Sequence, residues 1–258
     1  MRSAAGVDRA ARALTERRRP DTPFWVDRAS VRGDRLTLSS EESHHLLHVH
    51  RAEIGTPFEA VDGEGGLYKC VLDSVAKHDA VGRIVERLAE VGELAHPLRL
   101  LVGMPDRSAV EAVVAHAVPL GASLIDFVAC ERSGRGPLGA QRLERLNRLA
   151  RAGVKQSRRT RLPELKSSDS LESGIADLPP GEGSKFFADP RGNPWHHPAK
   201  AGIQNLVALA VGPPGGFSEG ERTLLLGRGF SPILLGPNRL STETAATLLV
   251  GLARNSLF

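Results

Sequence analysis

The part of the chain after residue 97 alternates short apolar runs with longer amphipathic stretches. The apolar runs are LRLLVG (98–103), LIDFV (124–128), KFFAD (185–189), LVALAV (206–211) and PILLG (232–236). Strands that are apolar along most of their length are buried on both faces, as in a parallel sheet with helices on either side. Helices are predicted near 108–118, 141–157, 219–228 and 242–254, so we expect an α/β domain over 97–258.

The part of the chain before residue 92 has a different pattern. Short strands are predicted at RLTL (35–38), FEAVD (58–62), LYKCVLDSV (67–75) and VGRIVE (81–86), with one helix at SEESHHLLHVHR (40–51). The glycines of GEGG (63–66) suit a hairpin turn, because glycine takes positive φ without strain. We expect a small β-barrel over 23–92, preceded by a loosely helical, arginine-rich extension over 1–22.

Composition limits the classes of function. The net charge of +4 comes largely from arginine and is compatible with a polyanionic partner. Cys70 and Cys130 lie far apart without a CxxC motif, which is typical of a reducing compartment and argues against a disulfide framework or a zinc site. No apolar run reaches the roughly 18 residues that a membrane span needs, so we expect a cytoplasmic protein without a membrane partner.

Four histidines, His44, His45, His48 and His50, crowd the short predicted helix. They lack the HExxH spacing of a zinc enzyme and have no further ligand nearby, so we expect no metal. Packing against the barrel or contact with the polyanionic partner are the two interpretations that remain, and the neighbouring Arg51 is the stronger candidate for that contact.

The predicted helix over 141–159 has one apolar face and one cationic face. Its opposing face carries the basic residues Arg145, Arg148, Arg151, Lys155, Arg158 and Arg159. Two interpretations stay open. The basic face is either simply solvated or contacts the phosphates of a nucleic acid, because the forked guanidinium group matches phosphate oxygens.

Two glycine-rich stretches resemble phosphate-binding loops, and both fail the comparison. GRGPLG (134–139) begins several residues after its strand and contains Pro137, so we expect a structural loop rather than a dinucleotide site. GPPGGFSEG (212–220) has no following Lys-Ser or Lys-Thr. Ser218 and Glu221 form a capping box there, which satisfies the free N–H groups that a phosphate would need.

A second glycine-proline loop occurs in ILLGPNRLSTETA (233–245). Like GPPGG, it follows an apolar strand and precedes a helix, here capped by Ser241 or Thr242. One interpretation is that both are ordinary turns. The other is that they lie at the carboxyl ends of neighbouring buried strands, where α/β sheets bind ligands.

GPPGGFSEGE (212–221) together with LLGPNRLSTETA (234–245) resembles the paired signatures GPEGGFS and LGxRILRTETA of SPOUT-class RNA methyltransferases. The similarity is strongest to the ribosomal RNA small-subunit methyltransferase E family, which methylates N3 of a uridine in 16S rRNA. HHLLHVHRAEIG (44–55) and FEAVDGEGGLY (58–68) resemble that family's PUA-like barrel. The resemblance runs from about Phe24 to the end of the chain.

The resemblance implies a trefoil-knotted α/β domain that binds S-adenosylmethionine and works as a homodimer on RNA. The cofactor has no phosphate, so glycine loops can hold it through backbone groups. The residues that we predict to bind the cofactor are Ala188, Val211, Gly212, Gly216, Leu235, Gly236 and Leu240. Those that we predict to bind RNA are Arg51, Arg145, Arg148, Arg151 and Arg158.

Methyl transfer is an in-line displacement, so the enzyme must align uracil N3 with the methyl group and assist loss of its proton. The predicted catalytic residues are Asn238, Thr242 and Glu243. For Glu243 the alternative role is stabilisation of the first helical turn.

The sequence departs from the family where substrate-contacting polar residues are expected. Pro214 and Pro119 stand where the family typically has glutamate, Ser241 where it has arginine, and Lys155 where it has an acid. The lysines expected near 106–109 are also missing. Three functions stay open: a 16S rRNA uridine methyltransferase, a paralogue that methylates a nucleoside-like or other small molecule, and a non-catalytic RNA-binding relative.

Overall fold

The computed structural model describes residues 20–178, 183–195 and 206–255, which leaves residues 1–19 of the predicted extension outside the described part. The described residues divide into two compact units. The N-terminal unit contains the chain up to Glu93 and the segment Val154–Leu162. The C-terminal unit contains Leu94–Gly153 and the chain from Pro163 onwards. The predicted domains, 23–92 and 97–258, differ from this division, because they place the segment Val154–Leu162 in the second domain.

Six strands form the sheet of the N-terminal unit in the order β1-β4-β5-β6-β3-β2. They are β1 (Phe24–Trp25), β2 (Val31–Arg32), β3 (Arg35–Thr37), β4 (Pro57–Val61), β5 (Gly66–Ala76) and β6 (Asp79–Ala89). β1 pairs parallel with β4, and the other pairs are antiparallel. Phe58 of β4, Leu72 of β5 and Leu36 of β3 are buried in one apolar core. The four predicted strands are confirmed, and β1 and β2 are too short to show a pattern in the sequence.

Helix α1 (Ser40–His44) follows β3 and continues as one π-helical turn over His45–Val49. Ser39 caps it by accepting a hydrogen bond from the N–H of Glu42 at 3.3 Å. The rings of His44 and His48 lie 4.6 Å apart, while His45 and His50 pack against Phe24. Burial lowers the pKa of His50, and the nearby His45 contributes a smaller effect in the same direction.

Asp62 organises the turn between β4 and β5. Its Oδ1 accepts hydrogen bonds from the N–H groups of Glu64 and Gly66, both at 2.8 Å. Its Oδ2 accepts from the Tyr68 hydroxyl and from Arg28, also at 2.8 Å. Burial by itself raises the pKa of Asp62, but these four hydrogen bonds outweigh it and hold the pKa below its ordinary value. The carboxylate therefore stabilises the turn in its charged form.

Six parallel strands form the sheet of the C-terminal unit in the order β12-β10-β11-β7-β8-β9. They are β7 (Leu98–Gly103), β8 (Leu124–Val128), β9 (Glu164–Ser168), β10 (Ser184–Pro194), β11 (Val207–Val211) and β12 (Ser231–Leu234). The helices are α2 (Arg107–Ala117), α3 (Ala140–Ser157), α4 (Leu171–Ala176), α5 (Glu219–Gly227) and α6 (Thr242–Asn255). The predicted α/β class is confirmed. No helix among the described residues is long and apolar enough to cross a membrane.

The sequence did not reveal β9 and α4. β9 lies at the edge of the sheet, and its residues ELKSS are exposed or half-buried. An edge strand has only one neighbour and needs no continuous apolar run, so its pattern gives no strand signal. α4 has only six residues and starts with a capping box between Ser170 and Ser173.

The structure after α3 differs from the helix with one basic face that was predicted over 141–159. α3 ends at Ser157, and Arg158 takes a positive φ of 59°. Arg159 is only 2% exposed and places Nη2 2.7 Å from Glu93 Oε2. Glu93 Oε1 also accepts the N–H groups of Thr160 and Arg161 at 2.8 and 2.9 Å. The placement of Arg159 on a solvent-facing basic surface is therefore wrong, because the helix stops before it.

Replacing Asp62 with asparagine should lower the free energy of unfolding at neutral pH by about 1–3 kcal/mol, since a charged acceptor of four hydrogen bonds is lost. The folded state lowers the pKa of Asp62, so its contribution is present above the unfolded value of about 3.9 and is lost as the pH falls through the folded value. Urea denaturation of both proteins between neutral and acidic pH measures this difference, which should shrink below about pH 4.

Asp73→Asn is the matched control, because Asp73 forms an ion pair with Arg35 at 3.3 Å that is largely exposed. It should change the stability by less than about 1 kcal/mol. Equal effects of the two substitutions would contradict the role assigned to Asp62.

Candidate functional site

Two glycine-proline loops follow β11 and β12, and a cavity of about 750 Å³ opens between them. We call it the loop cavity; its wall contains residues of both loops and of the end of β10. β10 lies between β11 and β12 in the sheet, so the prediction that the two strands are direct neighbours is wrong. All three strands are parallel, and their carboxyl ends still meet at one edge.

Every residue that we predicted to bind a cofactor lines the loop cavity: Ala188, Val211, Gly212, Gly216, Leu235, Gly236 and Leu240. Gly216 and Gly236 have φ values of +70° and +138°, and a Cβ on either would point into open space. Only glycine takes such backbone conformations readily. Both positions therefore let a ligand approach the backbone closely.

Side chains from two other segments hold the backbone carbonyls of the first loop. Arg132 Nη1 donates to the carbonyls of Gly215 and Phe217, both at 3.1 Å. Arg239 Nη2 donates to the carbonyl of Pro214 at 3.0 Å. These contacts fix the shape of the loop that forms one wall of the cavity. Arg132 and Arg239 were missed because their role depends on contacts distant in sequence.

β7 and β11 end in direct contact. A Cβ on Gly103 would lie 2.4 Å from Pro213 Cδ, so only glycine fits there. Val102 and Val211, the preceding residues, are paired in the sheet. Gly103 thus sets the position from which the GPPGG loop leaves the sheet, a role that no local pattern in the sequence could indicate.

The capping box at the start of α5 is confirmed. Ser218 N–H donates to Glu221 Oε2 at 2.8 Å, and Glu221 N–H donates to Ser218 Oγ at 3.2 Å. Glu221 Oε1 also accepts the N–H of Glu131 at 2.8 Å. This helix start is acidic and already capped, which makes it a poor site for phosphate.

Two of the three predicted catalytic residues, Asn238 and Thr242, line the loop cavity, whereas Glu243 does not. The Thr242 hydroxyl donates to the carbonyl of Gly212 at 3.1 Å, which ties the start of α6 to the first loop. Glu243 lies in the first turn of α6. Ser241 precedes the helix and accepts a hydrogen bond from the N–H of Thr244 at 3.4 Å. The structure thus brings Asn238 and Thr242 together and leaves Glu243 outside.

Asp189 is an acidic residue of the cavity wall that the sequence did not single out. It is 7% exposed and lies near the end of the first part of β10. Its Oδ1 accepts the N–H of Arg191 at 2.7 Å, and its Oδ2 accepts from Arg222 Nε at 2.9 Å. The two arginines balance its charge, so the wall stays close to neutral.

The five residues predicted to bind RNA are divided between the two compact units. Arg145 and Arg148 line a second cavity of about 720 Å³ in the C-terminal unit, which we call the arginine cavity. Arg151 is exposed on α3. Arg51 and Arg158 belong to the N-terminal unit, where Arg158 forms an ion pair with Glu59.

The departures from the family pattern have distinct environments. Pro214 is exposed in the wall of the loop cavity. Ser241 caps α6, as described above. Lys155 forms an ion pair with Glu42 within the N-terminal unit, and Pro119 is half-buried behind α2. Of these four residues, only Pro214 lines the loop cavity.

Two family models match the chain and define its class. The model described as RNA methyltransferase domain matches residues 75–254, and the model described as RNA methyltransferase PUA domain matches residues 38–85. The fold and the loop cavity are thus those of an RNA methyltransferase with an N-terminal PUA domain.

Relatives of known name identify the particular family. Ribosomal RNA small subunit methyltransferase E of Aquifex aeolicus is 30% identical over 230 residues, which cover 87% of this chain and 96% of the relative. The protein of the same name from Synechocystis sp. is 29% identical over 216 residues, covering 83% of this chain and 70% of the relative. The chain belongs to the ribosomal RNA small subunit methyltransferase E family.

Solved structures agree with the fold. Lpg2936 from Legionella pneumophila, solved with the bound cofactor SAM, has a TM-score of 0.77 at 25% identity and covers 91% of this chain and 97% of that chain. Ribosomal RNA small subunit methyltransferase E from Neisseria gonorrhoeae has a TM-score of 0.78 at 22% identity, with 91% and 97% covered. The predicted combination of a PUA-like domain and a SPOUT methyltransferase domain is confirmed, and the knot stays a prediction.

Replacing Arg132 with alanine should loosen the GPPGG loop, because the carbonyls of Gly215 and Phe217 lose a charged donor. We expect backbone amides of the loop to exchange with solvent about tenfold faster, measured by hydrogen exchange and mass spectrometry. Arg135→Ala is the control, since Arg135 lies on the same segment and makes no described contact with the loop. Unchanged exchange in the Arg132 variant would rule out this anchoring role.

Proposed function

We propose that this protein transfers a methyl group from S-adenosylmethionine to N3 of a uridine in 16S ribosomal RNA. The observation that carries the proposal is the loop cavity, which is lined by both signature loops of the family and by all seven predicted cofactor residues. The family to which the chain belongs supports the same reaction.

The residues of the loop cavity fit S-adenosylmethionine. The cavity has open space above Gly216 and Gly236, where backbone groups can hold adenosine without a side chain in the way. Val211, Leu235 and Leu240 supply apolar surface. No phosphate-binding motif is needed, because the cofactor carries no phosphate. When bound, the cofactor supplies an electrophilic methyl group on a sulfonium.

The side chains around the cavity have distinct proposed tasks. Thr242 and Arg239 hold the carbonyls of Gly212 and Pro214, and so keep the first loop in its binding shape. Asn238 lines the same cavity and has an amide that can donate to a uracil carbonyl oxygen, where negative charge develops as N3 loses its proton. We assign Glu243 to stabilising the first turn of α6.

The family further supports RNA as the partner, and we propose contacts to RNA phosphates from the basic residues Arg51, Arg145, Arg148, Arg151 and Arg158. All five are exposed, so their guanidinium groups can be reached by a phosphate.

Arg145 lies 3.3 Å from Glu111, so its charge is partly shared. Arg158 shares its charge with Glu59. Arg148 is therefore the member of the set on α3 whose position in a cavity favours phosphate contact most. We also propose that the protein is a cytoplasmic homodimer that needs no metal; light scattering of the purified protein tests the dimer.

A second candidate acceptor is a nucleoside-like or other small molecule. Pro214 favours it, because this residue is exposed in the loop cavity where the family typically has glutamate. A proline cannot provide the charge or hydrogen bonds of that glutamate. The donor site would be unchanged, and only the acceptor would differ.

Gly236→Asp should abolish S-adenosylmethionine binding, since the new side chain would project into the loop cavity and residue 236 would be strained at a φ of +138°. Isothermal titration calorimetry measures the loss. Gly229→Asp is the matched control, because Gly229 also has a positive φ of +82° and open space but lies outside the loop cavity. Retained binding in the Gly236 variant would show that the cofactor binds elsewhere.

The acceptor is identified by incubating the protein and methyl-labelled S-adenosylmethionine with small ribosomal subunits and, separately, with a small-molecule extract from a strain lacking the protein. We expect label in 16S rRNA, located at uridine N3 by nucleoside mass spectrometry. Label in the extract but not in the RNA would support the small-molecule acceptor instead.

A further inference from the structure

The arginine cavity is the second large cavity of the C-terminal unit, and its wall is strongly basic. Five arginines line it: Arg107, Arg135, Arg142, Arg145 and Arg148. They come from three segments, namely the start of α2, the GRGPLG loop and α3. Such a convergence of cations from separate segments is not explained by the packing of any one helix.

The carboxylates near the arginine cavity do not balance these charges. Glu111 lies 2.7 Å from Arg142 and 3.3 Å from Arg145. Among the residues that the structure describes, no ion pair involves Arg107, Arg135 or Arg148. Like charges that share a cavity repel one another, and an anionic ligand relieves that repulsion.

The GRGPLG loop provides an accessible wall for such a ligand. A Cβ on Gly136 or Gly139 would meet no atom within 4 Å, so the backbone there is open to close approach. The N–H of Leu138 donates to Ser167 Oγ at 2.8 Å, which fixes the loop against β9. Arg135 is therefore presented from an anchored loop, although the loop does not follow its strand directly as a dinucleotide motif would.

The arginine cavity also has apolar surface. Met104, Pro105, Val110, Pro137 and Leu138 line it together with the arginines. Guanidinium groups suit phosphate oxygens, and apolar groups suit the face of a base or a ribose. This combination fits a nucleotide better than a free inorganic anion.

Residues on either side of the contact between Gly103 and Pro213 belong to different cavities. Pro213 lines the loop cavity, while Met104, which directly follows Gly103, lines the arginine cavity. The segment after β8 also reaches both: Arg132 holds the GPPGG loop, and Arg135 lines the arginine cavity. Neighbouring segments of the chain thus contribute to both cavities.

We propose that the arginine cavity binds the phosphate of a nucleotide in the acceptor RNA strand, beside the uridine that enters the loop cavity. This inference rests on the proposed function and deepens it. It assigns phosphate binding to Arg107, Arg135 and Arg142 in addition to Arg145 and Arg148. It also gives a physical reason for choosing RNA over a neutral small-molecule acceptor.

The test measures binding of a fluorescently labelled, uridine-containing single-stranded RNA to the full chain over a range of salt concentrations. Arg107→Ala and Arg135→Ala should each weaken binding roughly tenfold and reduce the slope of log affinity against log salt by about 0.7–1. Arg228→Ala is the matched control, because Arg228 is an exposed arginine of the same unit outside both cavities. It should change neither quantity.

Competition identifies the source of the phosphate. Uridine 5′-monophosphate should displace the RNA from the wild-type protein, uridine should not, and inorganic phosphate should displace it more weakly than the nucleotide. The inference is overturned if the wild-type protein does not bind the RNA, if both cavity variants behave like Arg228→Ala, or if uridine competes as well as its monophosphate. Binding of uridine 5′-monophosphate by a wild-type protein that does not bind the RNA would also overturn it.

S-adenosylmethionine affinity and melting temperature are measured for all four proteins. Both should be unchanged, since Arg107 and Arg135 are exposed and lie outside the loop cavity. Failure of the wild-type protein to bind S-adenosylmethionine would count against the proposed function itself. Normal cofactor binding with no effect of the two substitutions on RNA would refute only the phosphate site.

Discussion

The contact between Gly103 and Pro213 is the constraint on which the site depends. β7 and β11 pair in parallel up to Val102 and Val211, and their ends then touch so closely that residue 103 has no room for a side chain. The GPPGG loop leaves the sheet from this point and forms one wall of the loop cavity. Met104, the residue after Gly103, lines the arginine cavity. A single close approach of two backbones therefore places both cavities at one edge of the sheet.

The way in which the loops are held separates this site from a phosphate-binding loop. Arg132, Arg239 and Thr242 donate to carbonyls of the GPPGG loop, and the capping box of Ser218 and Glu221 satisfies the start of α5. These side chains fix the shape of the loop by binding its carbonyls. A glycine-lined cavity suits a cofactor without phosphates, while five arginines line the arginine cavity.

The parts of the fold that were predictable are those with a local cause. The buried strands β7, β8 and β11 have continuous apolar runs, and the turn at GEGG has glycines that take positive φ. β9 was missed because an edge strand needs no such run. The prediction that Arg159 belongs to the basic helix face was wrong, because the helix ends before this residue and its partner Glu93 is distant in sequence. Helical periodicity indicates neither of these facts.

The sequence by itself determined the α/β class, the two glycine-proline loops and the seven predicted cofactor residues of the loop cavity, because each follows from local composition or from signatures within one segment. Only the tertiary structure decided that β10 separates β11 from β12, that Glu243 lies outside the cavity and that Arg107 and Arg135 join α3 in a second one. These facts depend on which strands pair and where distant segments meet. Such contacts are set by packing of the whole unit, and no single stretch of sequence contains them.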